Sequence, residues 1–129
     1  MATITKRIPI ATGPDRAWAA LRDVGRPHRA FAGVLTDARL DGDRRVVTFA
    51  NGMVVTEQIV TVDDRDRRLA YTVLDGPFTH HHASFAVTEA ADGGATVTWV
   101  TDLLPDDVAP MVEDLMDQGA TALATTLGC

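Results

Sequence analysis

The sequence has one cysteine, no long apolar segment and no secretory signal. Cys129 is the last of the 129 residues, so neither an intrachain disulfide nor a cysteine-based metal site can form within one chain. The longest unbroken apolar run, 17–21, is far shorter than the roughly 20 residues that cross a membrane. Residues 1–7 carry charge without the apolar stretch that follows it in a signal peptide. These absences predict a cytoplasmic protein without a membrane span.

Positive charge is scarce as well. The chain has 18 acidic and 12 basic residues and a formal net charge of -6. A nucleic-acid-binding protein usually presents a net basic face. Here only scattered arginines are available for one, namely Arg22, Arg26, Arg29, Arg44 and Arg45. Nucleic acid is therefore not expected as a partner.

Motifs for nucleophilic catalysis, phosphate binding and metal binding are also missing. Ser84 is the only serine and no Gly-x-Ser-x-Gly elbow occurs, which argues against a hydrolase triad. There is no glycine-rich phosphate loop. His80 and His82 share one face of a predicted strand, but two ligands do not make a metal site. We expect no metal and no cofactor.

The central part of the chain alternates between turn signals and runs rich in Val, Thr, Ile and aromatic residues. Asn51-Gly52 is the strongest hairpin signal, because both residues accept the positive φ of a type I′ turn. The pattern predicts an antiparallel meander that follows an N-terminal strand at 3–9. Its strands cover 33–40, 45–50, 53–62, 68–74, 78–89 and 95–104.

Three segments are predicted to be helical. Pro14-Asp15 begins a short amphipathic helix, and residues 26–31 add a second short turn of helix. After Pro105-Asp106-Asp107, apolar residues recur at spacings of three and four up to Leu127, which indicates a helix of about 20 residues with one apolar face. A curved sheet with one apolar face needs such a helix as its partner.

Several short motifs occur in this same order. They are Pro14-Asp15-Arg16-Ala17-Trp18, Thr56-Glu57-Gln58-Ile59 leading to Asp63, Arg67-Arg68-Leu69-Ala70-Tyr71, and Gly94-Ala95-Thr96-Val97-Thr98-Trp99 before the terminal helix. With them the chain resembles the Bet v 1-like or START-like superfamily, more narrowly the bacterial polyketide cyclase/dehydratase and lipid transport family. The resemblance implies one α+β domain over residues 1–129. It also implies a helix-grip fold, in which a curved seven-stranded antiparallel sheet wraps around the long C-terminal helix, with two short helices between strands 1 and 2 and a cavity between sheet and helix.

Strand alternation predicts which side chains face this cavity. The predicted inward set comprises Leu69, Tyr71, Val73, His81, Ala83, Phe85, Val87, Val97, Trp99 and Leu103. Glu57 continues the set if the Asn51-Gly52 hairpin keeps its register. A buried carboxylate is costly unless it is paired or neutral, and such groups often mark working sites. The alternatives are a Glu57 that is bonded for purely structural reasons or one that lies outside.

Three functions follow from this arrangement. The leading hypothesis is a protein that binds a small hydrophobic or amphipathic molecule, with apolar walls and with Glu57 and His81 as orienting polar groups. The predicted ligand-binding residues are Phe49, Glu57, Tyr71, His81, Phe85, Trp99, Met111 and Leu115. A second hypothesis is a cyclase or dehydratase in which Glu57 or His81 transfers protons. A third is an interaction module without a pocket, which the small number of aromatic residues, seven, disfavours. The protein is expected to be a monomer or a homodimer.

Overall fold

One antiparallel sheet of seven strands dominates the structure, a computed structural model that describes residues 1–128. The strands are β1 (Ala2–Ile10), β2 (Leu35–Asp41), β3 (Arg44–Phe49), β4 (Val54–Asp63), β5 (Arg68–Val73), β6 (His80–Glu89) and β7 (Ala95–Leu104). Their order across the sheet is β1-β7-β6-β5-β4-β3-β2. Cys129, which carries the terminal thiol, lies outside the described residues.

Three α-helices complete the described part of the chain. Helices α1 (Pro14–Arg22) and α2 (Pro27–Ala30) carry the chain from the β1 edge of the sheet to the β2 edge. A 3₁₀ turn at Asp106–Val108 leads into α3 (Ala109–Leu127), which has 19 residues. The helix-grip fold predicted above is confirmed. None of the helices within residues 1–128 is long and apolar enough to cross a membrane.

The turn between β3 and β4 differs from the prediction. Asn51 does not adopt positive φ, whereas Gly52 does, at 90°. The Gly52 N–H donates to the Phe49 carbonyl at 2.9 Å, and the Phe49 N–H donates to the Met53 carbonyl at 2.8 Å. This is a three-residue loop, a type I turn followed by a left-handed glycine, and not the two-residue type I′ turn.

The loop length changes the register of the hairpin. A two-residue loop at 51–52 pairs residues whose numbers sum to 103. The observed pairs, such as Thr48 with Val54 and Arg45 with Glu57, sum to 102. Because side chains alternate between the two faces of a sheet, this one-residue shift places the Arg45 side chain on the same face as Glu57.

The start of the second strand is also later than predicted. Gly33 has a φ of 89°, and the N–H groups of Val34 and Leu35 both donate to the Phe31 carbonyl. The chain is therefore still turning at residues 33 and 34, and β2 begins at Leu35.

Helix α3 packs on the sheet mainly at its β1 side. Its buried residues are Val112, Met116, Gly119, Leu123 and Leu127, at the spacing of one helical face. Lys6 of β1 adds ion pairs to Glu113 at 3.0 Å and Asp117 at 2.8 Å. Since the helix lies toward one edge, the strands on the other side of the curved sheet are left with space above them.

Candidate functional site

A cavity of about 300 Å³ lies between the inner face of the sheet and the first half of α3. Its lining is mostly apolar and comes from strands β3 to β7, the α2 region, the loop at 75–78 and α3. This volume is at the lower end of the range of roughly 300–1,000 Å³ that is typical of ligand sites. The position corresponds to the space that α3 leaves uncovered.

All eight predicted site residues lie in this lining: Phe49, Glu57, Tyr71, His81, Phe85, Trp99, Met111 and Leu115. The strand residues among them reach it because they occupy inward positions of successive strands. Met111 is 45% exposed and lies at the edge of the cavity, outside the buried face of α3. Their role in ligand binding stays a prediction.

A cluster of aromatic side chains, here called the aromatic wall, lines the cavity on its sheet side. Phe85 and Trp99 are directly paired across β6 and β7, and their rings stack with centroids 4.7 Å apart. The Tyr71 ring stacks on the other side of Phe85 with a centroid distance of 6.0 Å. The Phe31 ring packs in a tilted orientation against both Phe85 and Trp99. The Trp99 Nε1 interacts with Tyr71 but falls short of hydrogen-bond geometry, so this buried N–H is unsatisfied.

A buried ion pair forms the polar end of the lining. Arg45 Nε donates to Glu57 Oε1 at 2.7 Å, and the two side chains are only 6% and 10% exposed. Arg45 Nη1 also donates to the Val24 carbonyl at 3.1 Å, and its guanidinium lies 5.5 Å from the centre of the Tyr71 ring. One arginine therefore connects β3, β4, β5 and the segment after α1.

The environment of this pair shifts the pKa values of two acidic groups, the Glu57 carboxyl and the Tyr71 phenol. Burial raises the pKa of the Glu57 carboxyl above its usual value, while the charge and the hydrogen bond of Arg45 oppose that rise. Burial and then the Glu57 charge raise the pKa of the Tyr71 phenol. The phenol therefore keeps its proton at any physiological pH.

His81 lies in the lining with a fixed ring orientation. The Val73 N–H donates to His81 Nδ1 at 3.1 Å, and the Phe78 and Tyr71 rings pack against the imidazole at 4.9 and 5.9 Å. Burial, followed by the charges of His82 and His80, lowers the pKa of His81 to about 4. The imidazole is neutral at pH 7.

The histidines beside it face away from the cavity. His80 is exposed and His82 is half-buried, on the opposite face of β6. Within residues 1–128 no group of three or more His, Cys, Asp or Glu side chains is arranged to hold a metal ion.

Sequence reasoning missed Arg45, Thr101 and Phe31 as lining residues. Arg45 was counted among scattered surface arginines, and the wrong hairpin register separated it from Glu57. Its position two residues before Val47 on an alternating strand was the available signal. Thr101 shares the parity of Trp99 and Leu103 and is almost fully buried, but its polar side chain masked the pattern.

Comparisons with known proteins agree with this architecture. A family model described as polyketide cyclase / dehydrase and lipid transport matches residues 1–128. Among proteins with curated functions, none matches the sequence.

Solved structures from several bacteria are similar to this one. An uncharacterized protein from Bacillus thuringiensis is 19% identical, with a TM-score of 0.85 and 98% of each chain covered. The protein XoxI from Bacillus cereus is also 19% identical, with a TM-score of 0.86 over 98% of this chain and 96% of that one. A protein from Thermobifida fusca is 26% identical, with a TM-score of 0.81 over 99% and 94%. At these identities the first two show the shared fold and nothing about the ligand.

Proposed function

Since the chain belongs to the polyketide cyclase/dehydrase and lipid transport family, we propose that it binds a small hydrophobic or amphipathic molecule in the cavity between the sheet and α3. The observation that carries the proposal is the cavity itself, about 300 Å³ with mostly apolar walls. The few polar groups in the lining, among them the Arg45–Glu57 pair and His81, have the character of groups that orient a ligand.

A cavity without a ligand is a cost to the folded state. Apolar walls that face water are unfavourable by roughly 25 cal/mol per Å² of apolar surface. A hydrophobic molecule that moves from bulk water into the cavity therefore gains favourable contacts with these walls. This gain supports a binding role for a space that larger side chains would otherwise close.

Trp99 provides the signal for a binding test. It lies in the cavity lining, whereas Trp18 is a residue of α1 in the core, and its Nε1 donates to Asp64 Oδ1 at 2.9 Å. The Trp18→Phe variant isolates the Trp99 fluorescence, and Trp99→Phe serves as the matched control. Titration with long-chain fatty acids and flat aromatic molecules is expected to change the fluorescence of the first variant saturably.

The same ligands are expected to raise the melting temperature, since a ligand that binds only the folded state stabilises it. The control variant keeps the thermal shift for any ligand that tolerates phenylalanine at 99, but loses the fluorescence change. Absence of both responses across the whole panel contradicts the proposal and favours an interaction module without a ligand.

A cyclase or dehydratase is the second candidate, because Glu57 is a buried acid with a raised pKa in the cavity lining. Its bond to Arg45 argues the other way, since a paired carboxylate is a weaker base. Glu57→Gln keeps the shape and removes the proton transfer. A binder is expected to keep its ligand affinity within about tenfold, whereas an enzyme that uses this acid loses roughly 10² to 10⁴ in rate. Thermal unfolding of the variant checks that it is folded.

A further inference from the structure

The hydrogen-bonding state of His81 determines what it offers to a ligand. Its Nδ1 accepts the Val73 N–H, and an acceptor nitrogen carries no proton. The proton of the neutral ring is therefore on Nε2. No described residue accepts a hydrogen bond from Nε2. In the cavity lining, His81 is a hydrogen-bond donor and not a base.

Two hydroxyl groups lie next to this donor on the inner face of the sheet. Tyr71 on β5 and Thr101 on β7 are both paired with Ala83 of β6, which is two residues from His81 on the same face. Both side chains line the cavity, and the Tyr71 hydroxyl has Trp99 Nε1 as its neighbour. Around Ala83, His81 Nε2 and the Thr101 hydroxyl thus have no hydrogen-bond partner among residues 1–128, and the Tyr71 hydroxyl has only its interaction with Trp99 Nε1.

An unpaired positive charge, by contrast, is absent from the described lining. Arg45 is the only cation among the described lining residues, because His81 is neutral at pH 7, and Glu57 already neutralises Arg45 at 2.7 Å. A ligand carboxylate would meet no unpaired cation and would lie near Glu57 and Asp75, the second acidic residue of the lining. A ligand ammonium group in the buried part of the lining would lie near the Arg45 guanidinium, since the carboxylate of Asp75 is at an exposed position and accepts the Thr56 N–H. Burying an ion without a counter-charge is strongly unfavourable.

We propose that the cavity selects an uncharged apolar molecule with a carbonyl oxygen, which accepts a hydrogen bond from Nε2–H of His81 beside the hydroxyls of Tyr71 and Thr101. This inference rests on the proposed binding function and adds the chemical class of the ligand. It assigns the Arg45–Glu57 pair to closing off the polar end of the cavity, and not to binding a charged group.

Three naphthalene probes of nearly equal shape test the inference. 2-Acetylnaphthalene has the carbonyl, 2-isopropenylnaphthalene replaces its oxygen with a CH₂ group, and 2-naphthoate has a carboxylate. Isothermal titration calorimetry at pH 7.5 is expected to show the ketone binding about tenfold more tightly than the alkene, as one hydrogen bond supplies. The carboxylate is expected to bind at least tenfold more weakly than the ketone.

Two substitutions at His81 locate the donor. His81→Asn retains an acceptor near the position of Nδ1 for the Val73 N–H but does not reach the position of Nε2. His81→Gln reaches that position and can donate there. The ketone-to-alkene preference is expected to fall to within about twofold in His81→Asn and to be retained in His81→Gln, while the alkene binds both variants as it binds the wild type.

The outcomes separate the inference from the proposed function. Equal binding of ketone and alkene to the wild type, or tightest binding by the carboxylate, overturns the inference but leaves the binding function standing. A ketone preference that persists in His81→Asn assigns the donor to another group and also overturns it. Failure of all three probes to bind overturns the inference, and it contradicts the proposed function as well if the fatty acids and aromatic molecules of the binding test also give no response.

Discussion

Arg45 and Glu57 are each buried because the other is present. A guanidinium remains protonated at all physiological pH values, so Arg45 cannot lose its charge. Glu57 can take up a proton, and its pKa is already raised by burial. The two partners therefore respond differently to loss of the other, and the difference is measurable.

We predict that Arg45→Met destabilises the protein by about 3–5 kcal/mol at pH 8, as expected for one partner of a buried ion pair. Without Arg45 the folded-state pKa of Glu57 rises further. A raised folded-state pKa means that stability is retained at low pH and lost as pH rises, so the loss in this variant is smaller at pH 5. Urea denaturation of the wild type and of Arg45→Met at both pH values measures this loss of stability.

Glu57→Gln is the matched comparison, since it leaves a charged Arg45 that no pH change in this range relieves. Its destabilisation relative to the wild type is expected not to grow from pH 5 to pH 8, because the raised pKa of Glu57 lowers the stability of the wild type, and not of this variant, as pH rises. The double variant Arg45→Met/Glu57→Leu removes both charges and is expected to recover most of the stability. Equal pH dependence in the two single variants would contradict this account.

His81 provides a second prediction at the residue scale. Its folded-state pKa of about 4 lies below the ordinary value of 6.5, so the unfolded chain takes up the proton first as the pH falls. Stability from this group is complete above about pH 6.5 and is lost toward pH 4, by on the order of 2 kcal/mol. The difference between wild type and His81→Asn in urea, at pH 7.5 and pH 4.5, isolates this contribution. A difference that does not change with pH would refute it.

At the scale of elements, the contact between α3 and β7 depends on the missing side chain of Gly119. A β-carbon at this position would lie 2.9 Å from Cζ3 and 3.0 Å from Cη2 of Trp99. With glycine at position 119, the helix approaches the aromatic wall more closely than it could with any other residue there. This close approach sets the height of the cavity at its α3 side.

We predict that Gly119→Ala destabilises the protein by about 1 kcal/mol, although alanine is by about 1 kcal/mol the better helix former. Overpacking against Trp99 is expected to outweigh that gain, at a cost of about 1–3 kcal/mol. Thr121→Ala, at an exposed position of the same helix, is the control and is expected to be neutral or slightly stabilising. The free energy of unfolding of both variants is measured by urea denaturation in the Trp18→Phe background, where Trp99 provides the fluorescence signal. A stabilised Gly119→Ala would show that the ring moves aside freely.

At the scale of the whole molecule, most of the buried apolar side chains form two groups, and the cavity lies beside them. The larger group joins α1, the inner face of β5 to β7 and the end of α3. The smaller one joins Ile4, Leu103, Val112 and Met116. Leu115 belongs to neither group and lines the cavity, so its size affects the empty space more than it affects the packing.

We predict that Leu115→Phe lowers the affinity for 2-acetylnaphthalene at least tenfold and changes the free energy of unfolding by less than about 1 kcal/mol. The larger ring occupies ligand space without disturbing the packed residues. Leu115→Ala is the opposite change and is expected to retain binding while losing about 1 kcal/mol of stability. Calorimetry and urea denaturation measure the two quantities. Unchanged affinity in Leu115→Phe would place the ligand elsewhere.

The sequence by itself determined the order of the elements and the inward faces of most strands. These depend on local periodicity, two residues in strands such as His81–Val87 and 3.6 residues in the terminal helix, which each segment expresses on its own. This is why the predicted lining residues, from Phe49 to Leu115, all lie around the cavity.

The tertiary structure alone decided the Arg45–Glu57 pair, the donor nitrogen of His81 and the open space itself. The pair depends on one residue of loop length at Gly52, and the His81 proton depends on a backbone N–H of the neighbouring strand. The cavity exists because α3 lies toward β1 and packs on Trp99 through Gly119. Such features arise from distances between segments far apart in the chain, which no local pattern encodes.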